Sequence, residues 1–130
     1  MEKIKLKVIQ PHQILLDDEF DHVIVPGVEG DFGVYANHAD FITKLRPGIL
    51  QIYTGDKIDK YAIHDGYVSV EKDLVSIVCE AVEPQAEIDL KRAEAAKARA
   101  EKRMKSNAEE VDFRRAELAL KRALVRLNLK

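Results

Sequence analysis

The chain has no tryptophan and a single cysteine, and its 130 residues include only four prolines and six glycines. One cysteine, Cys79, excludes an internal disulfide and fits a reducing compartment. Its apolar setting, Ile77-Val78-Cys79, marks it as a small core residue rather than a nucleophile. With four Phe and four Tyr, aliphatic side chains must fill most of the core. No apolar run approaches the roughly 18 residues that suggest a membrane span. The first residues alternate Lys with aliphatics and carry neither a signal h-region nor an A-x-A-like cleavage site, so a cytosolic chain is expected. Catalytic signatures are missing too: there is no G-x-S-x-G, no Walker-type loop and no metal-spaced His/Cys cluster. Gly27, Gly30 and Gly33 give G-x-x-G-x-x-G, which is not the dinucleotide fingerprint. His12, His22, His38 and His64 are scattered and read as surface or packing residues. His64-Asp65 resembles a base with its orienter, but neighbours on a strand point to opposite faces. Neither an enzyme, a metal site nor a required cofactor is expected.

What is present divides at Pro84. Residues 1–84 read as short strands, and Lys3-Ile4-Lys5-Leu6-Lys7-Val8 has the two-residue period of a half-buried strand. His22–Val25, Phe41–Leu45 and Ile49–Tyr53 are similar in length and rich in β-formers. Pro26-Gly27, Gly30-Asp31, Pro47-Gly48, Thr54-Gly55-Asp56 and Asp65-Gly66 supply turn signals between them. Val68–Val70 and Leu74–Val82 flank Glu71-Lys72-Asp73 as a hairpin. This punctuation predicts a β-sandwich or flattened barrel.

Residues 85–130 contain no Gly or Pro and are dominated by Ala, Glu, Lys, Arg and Leu. A helix is expected from about Ile88 to Lys105, with Pro84 at its threshold and Ala93, Ala96, Ala100 and Met104 on one face. Ser106-Asn107 is the break, where Asn107 can cap a second helix with Glu110 at capping-box spacing. Phe113, Ala116, Leu120, Ala123 and Leu127 form the second apolar seam. The fold class is therefore β plus α: a sandwich over 1–84 and an antiparallel two-helix hairpin over 85–130. An alanine-rich seam buries little area at about 25 cal/mol per Å², so the hairpin is expected to hold weakly unless it docks.

Charge divides at the same place. Residues 1–84 carry a net −7 and residues 85–130 a net +5, which implies modules that attract each other or a basic module seeking an acidic partner. Arg92 and Arg99 are one heptad apart, and Arg122 and Arg126 are i,i+4 neighbours. If the helices fold back on each other, four guanidiniums converge on a polyanion. The acidic chain lacks aromatic platforms for stacking bases, so a nucleic acid fits poorly. A compact phosphate ligand and an acidic protein segment both remain open.

Several segments then resemble one family over essentially the whole chain. They are Val25-Pro26-Gly27-Val28-Glu29-Gly30-Asp31-Phe32-Gly33-Val34, His38-Ala39, Lys44-Leu45-Arg46-Pro47-Gly48, Asp65-Gly66-Tyr67-Val68-Ser69-Val70, and the tail from Phe113 to Ala123. In this order they resemble the epsilon subunit of bacterial F-type ATP synthase. Tyr35-Ala36-Asn37 stands where the family usually has Leu-Pro-Gly, and Asp40 where Pro is common, which is expected to alter local packing or a contact surface.

The resemblance implies a non-catalytic subunit at the foot of the central stalk, peripheral on the cytoplasmic face of the cell membrane. It implies a sandwich that binds the gamma subunit and the c-ring. It also implies a hairpin that folds down, or extends toward the catalytic beta and alpha subunits and inhibits ATP hydrolysis. ATP enters as a regulatory ligand: Ile88-Asp89-Leu90-Lys91-Arg92-Ala93 matches the family's I/L-D-x-x-R-A pattern. Glu83, Arg99, Arg122 and Arg126 match the accompanying positions, giving Glu83, Ile88, Asp89, Arg92, Ala93, Arg99, Arg122 and Arg126 as candidate nucleotide contacts. Two roles are open to Asp89, accepting from an adenine amino group or favouring the first helical turn. For Glu83 the alternative is an exposed strand-end acid. A stand-alone nucleotide-sensing module is the competing function, and an enzyme of another type is a remote one.

Overall fold

The computed structural model describes residues 3–105 and 110–129, with the side chains of 110–112 excepted. The expected break at Ser106-Asn107 and the Asn107–Glu110 capping box lie outside the described residues. Eight strands come first: β1 (Ile4–Gln10), β2 (Gln13–Phe20), β3 (His22–Gly27), β4 (Gly30–Val34), β5 (Phe41–Lys44), β6 (Gly48–Thr54), β7 (Lys57–Glu71) and β8 (Leu74–Pro84). A 3-10 turn at Gln85–Glu87 leads into α1 (Leu90–Lys105) and α2 (Glu110–Leu129).

The strands form one continuous sheet in the order β2-β1-β8-β7-β6-β3-β4, with β5 also on β7. β1 runs parallel to β8, and every other pairing is antiparallel. The long β7 pairs with β6 over its first half and with β5 over its second. A bridge from Gly27 to Leu45 then draws β5 toward β3, so the sheet folds over its own core as a flattened barrel. Alternation in β1 buries Ile4, Leu6 and Val8, and β6 likewise contributes Leu50 and Ile52. Lys72 and Asp73 both adopt positive φ at the β7–β8 turn, as a type I′ hairpin turn requires.

Three local expectations are corrected. Pro26-Gly27 is the end of β3 rather than a turn. Pro84 is the last residue of β8, paired with Tyr61, and α1 starts only at Leu90. Asp65-Gly66 is no turn but a bend inside β7, with Asp65 at φ 47°. At this bend the inward face changes parity. Ile63 points into the core before it, and Val68 and Val70 after it. Opposite, β8 sends Val75, Ile77 and Cys79 inward and then Val82. The bend thereby turns Ala62, His64 and Glu83 outward, under the helices.

The hairpin seam is built from Ala93, Ala100, Ala116 and Ala123, all buried. Phe113, expected on that seam, is exposed instead. A small second cluster of Ala62, Ile88 and Leu129, flanked by Ile49 and Val125, joins the hairpin to the sandwich. Tyr35, exposed on the barrel surface, stacks on His22 at 4.5 Å, and His22 stacks on Tyr53 at 4.1 Å.

The main core takes no described residue from either helix. A chain ending after Pro84 is therefore expected to keep a cooperative thermal transition and strand-type circular dichroism. Loss of that transition would show that the sandwich needs the hairpin to fold.

Candidate functional site at the sandwich–hairpin junction

The two modules of the chain meet around one cavity of about 380 Å³, lined by Glu83, Glu87, Asp89, Arg92, Ala93, Ala96, Arg99 and Arg126. β8 delivers Glu83 at its C-terminal end. The 3-10 turn and the residues after it bring Glu87 and Asp89. One face of α1 supplies Arg92, Ala93, Ala96 and Arg99, which the 3.6-residue period stacks in successive turns. α2 adds Arg126 from the opposite wall.

Asp89 sits just before α1, and its Oδ1 accepts from the Arg92 backbone N–H at 3.2 Å. It is the N-cap, a bond worth typically about 1 kcal/mol to a helix. The capping role open to Asp89 in the sequence is thus realised, while the residue still borders the cavity. Arg126 donates to Glu83 Oε1 through Nε at 2.8 Å, and its Nη2 lies 2.6 Å from the same oxygen. The side chains of Arg92 and Arg99 have no ion-pair partner among the described residues. Three guanidiniums and three carboxylates thus line the cavity with no net formal charge, and the two guanidiniums of α1, beside small Ala93 and Ala96, are the ones left for an anionic ligand.

Two of the expected contacts stand elsewhere. Ile88 is 5 % exposed and packs with Ala62 and Leu129, which anchors the start of the hairpin rather than lining the cavity. Arg122 points to the bend in β7, where its Nη2 donates to Asp65 Oδ2. Gln85 Nε2 adds a bond to the Leu129 carbonyl at 2.8 Å. Asp65–Arg122 and Glu83–Arg126 thus fasten α2 to the sandwich and join the acidic module to the basic one, while Gln85–Leu129 ties the 3-10 turn to the end of α2. Nothing in the sequence pairs Asp65 with Arg122 or Gln85 with the end of α2; only the charge asymmetry between modules points to such contacts. The expectation that His64 and Asp65 face opposite ways also fails. The bend interrupts the alternation, and both residues lie toward α2. His64 is a packing residue, 2 % exposed, and Cys79 is buried as expected, its thiol pushed up to about 11 by burial and by Glu80. Among the described residues no cluster of His, Cys, Asp or Glu has metal-binding geometry.

Comparison with known proteins covers both modules. The family described as ATP synthase, Delta/Epsilon chain, beta-sandwich domain matches residues 3–85, and the ATP synthase, Delta/Epsilon chain, long alpha-helix domain matches 86–130. The chain is 41 % identical over 127 residues to an ATP synthase epsilon chain of Syntrophobacter fumaroxidans, covering 98 % of this chain and 95 % of that one. An epsilon chain of Desulforamulus reducens is 35 % identical over 124 residues, covering 95 % and 94 %. Among solved structures, a chain of the Euglena gracilis mitochondrial ATP synthase (OSCP/F1/c-ring) superposes with a TM-score of 0.87 at 27 % identity, covering 97 % of this chain and 79 % of that one. A chain from the central stalk and c-ring of the Tetrahymena thermophila mitochondrial enzyme gives 0.70 at 15 % identity, covering 98 % and 96 %, a likeness of fold alone.

Proposed function

The chain belongs to the delta/epsilon-chain family of ATP synthase, as a non-catalytic epsilon subunit of the central stalk, and from that premise we propose that it regulates ATP hydrolysis through a nucleotide-sensing hairpin. The sandwich binds the gamma subunit and the c-ring, which holds the chain peripherally at the cytoplasmic face of the membrane. The hairpin either lies on the sandwich or extends toward the catalytic beta and alpha subunits. The observation that supports this reading is the cavity itself, whose walls come from β8, α1 and α2 and so exist together only while the hairpin is down. A ligand that fits the walls draws the equilibrium toward the compact state.

ATP suits those walls. Arg92, Arg99 and Arg126 grip phosphate oxygens, while Asp89 and Glu83 offer acceptors to the adenine amino group. For phosphate to reach Arg126, the pair with Glu83 must loosen, so binding exchanges one charge-assisted contact for another. Arg122 acts as a fastener to Asp65, and Ile88 as an apolar anchor. Titration of the isolated chain with ATP is expected to raise its Tm progressively, following RT ln(1 + [ATP]/Kd). The absence of heat and of any thermal shift at millimolar ATP would remove the nucleotide from this reading and leave the rotor role in place.

Inhibition follows from charge. Arg115 is exposed on α2 in the compact state and is available to an acidic surface when the hairpin extends. The variant Arg115→Glu in the assembled complex is expected to raise ATP hydrolysis, and added salt to weaken inhibition in the unaltered complex. Arg115 is a cleaner probe than Arg122, whose reversal would also break the bond to Asp65. If neither salt nor Arg115→Glu changes hydrolysis, the hairpin is no electrostatic brake.

A further inference from the structure

We propose that His64 is a proton-binding site that loosens the hairpin from the sandwich when the medium turns acidic. His64 lies on the outer face of β7, diagonal to Glu83 in the β7–β8 ladder, where Ala62 pairs with Glu83 and His64 with Ala81. The docked helices leave it 2 % exposed, and neither ring nitrogen has a hydrogen-bond partner. A buried polar side chain with no partner is uncommon and costly, so it calls for a reason.

The surroundings supply one. Glu83 Oε1 of β8 is 3.5 Å from His64 Nε2, but that oxygen already receives both Nε and Nη2 of Arg126. From α2, Arg126 and Arg122 both face the ring, and Arg122 is held there by Asp65 of the same strand. A proton on His64 would thus put a third cation beside two guanidiniums, at a carboxylate already occupied. Burial first and Arg126 second, with a smaller push from Arg122, outweigh the pull of Glu83 and lower His64 to about 4 from the ordinary 6.5.

When the hairpin lifts, both arginines leave with it, water reaches the ring, and Glu83 is released to accept from Nε2. The released form therefore binds the proton more readily than the docked one. By linkage, docking is at full strength above pH 6.5 and weakens as pH falls from there toward 4. Over that window the docking constant drops about tenfold per pH unit. Mild acid would send the hairpin toward its extended arrangement without any change in nucleotide.

Hydrogen exchange on the full chain without nucleotide tests this. Protection factors of the α2 amides, corrected for intrinsic rates, are expected to fall roughly tenfold between pH 7.5 and 5.5. In His64→Gln, which keeps size and polarity but takes no proton, that fall should vanish. Unchanged α2 protection in the native chain, or an equal fall in His64→Gln, would overturn the proposal. Should the variant fail to fold, ring-resonance titration of the native chain decides. His64 must then titrate well below the ordinary 6.5, and an ordinary midpoint in the docked state refutes the linkage. Because no nucleotide is present, failure here leaves the arginine cavity untouched.

Discussion

Replacing Arg126 with alanine is expected to weaken ATP binding by roughly tenfold to hundredfold, the equivalent of about 1.5–3 kcal/mol for one charge-assisted hydrogen bond. Among the described residues Arg126 is the only cavity residue contributed by α2, so its loss removes the contact that α2 makes there. It also leaves the Glu83 carboxylate without its guanidinium, next to His64. A smaller ATP-induced rise in Tm should accompany the weaker binding. Calorimetry on native chain, Arg126→Ala and Arg103→Ala separates the specific effect from general charge, since Arg103 shares α1 with Arg92 and Arg99 but does not line the cavity. Equal losses in both variants would mean that ATP reads net charge rather than this cavity.

The largest effect on stability should come from Gly66→Ala. A methyl group there would fall on the Val78 carbonyl oxygen and within 2.8 Å of the Cys79 Cα, backbone atoms that cannot swing aside. β7 and β8 must separate at the bend, and the ladder from His64 to Val68 is disturbed on both sides. The expected cost is on the order of 3–5 kcal/mol, a drop in Tm of roughly 10–20 °C. Gly55→Ala is the comparison: it has open space around its Cβ position but sits at φ 59°, so it should lose only about 1 kcal/mol. If the two variants melt together, the close approach at Gly66 is not a determinant of stability.

The same bend lies beyond what local sequence pattern specifies. Regular alternation exposed β1, and the loss of Gly and Pro after Pro84 exposed the hairpin, because both signals depend only on local period. β2 is silent in the sequence, since Asp17, Asp18 and Glu19 on an edge strand carry no apolar rhythm. The first half of β7 is hidden for a different reason. Parity reverses at Asp65, and an aspartate followed by glycine has the composition of a turn. At the site, the arginine spacing was readable because a helix fixes which residues share a face. The partners were not. Asp65 and Arg122 are separated by 57 positions, and only the docking of two modules makes them neighbours.

The lone thiol offers a way to tell two kinds of opening apart. Cys79 belongs to the main core, its Sγ lies 3.8 Å from the Ile9 carbonyl, and among the described residues that core takes none from the helices. Lifting of the hairpin therefore leaves it sealed and, with its proton held up to about 11, chemically silent at neutral pH. Separation of β1 from β8 does the opposite, baring a sulfur that an alkylating reagent can capture at once. The rate of alkylation is thus a clock that ticks only when the barrel itself comes apart, however often the helices rise and fall above it.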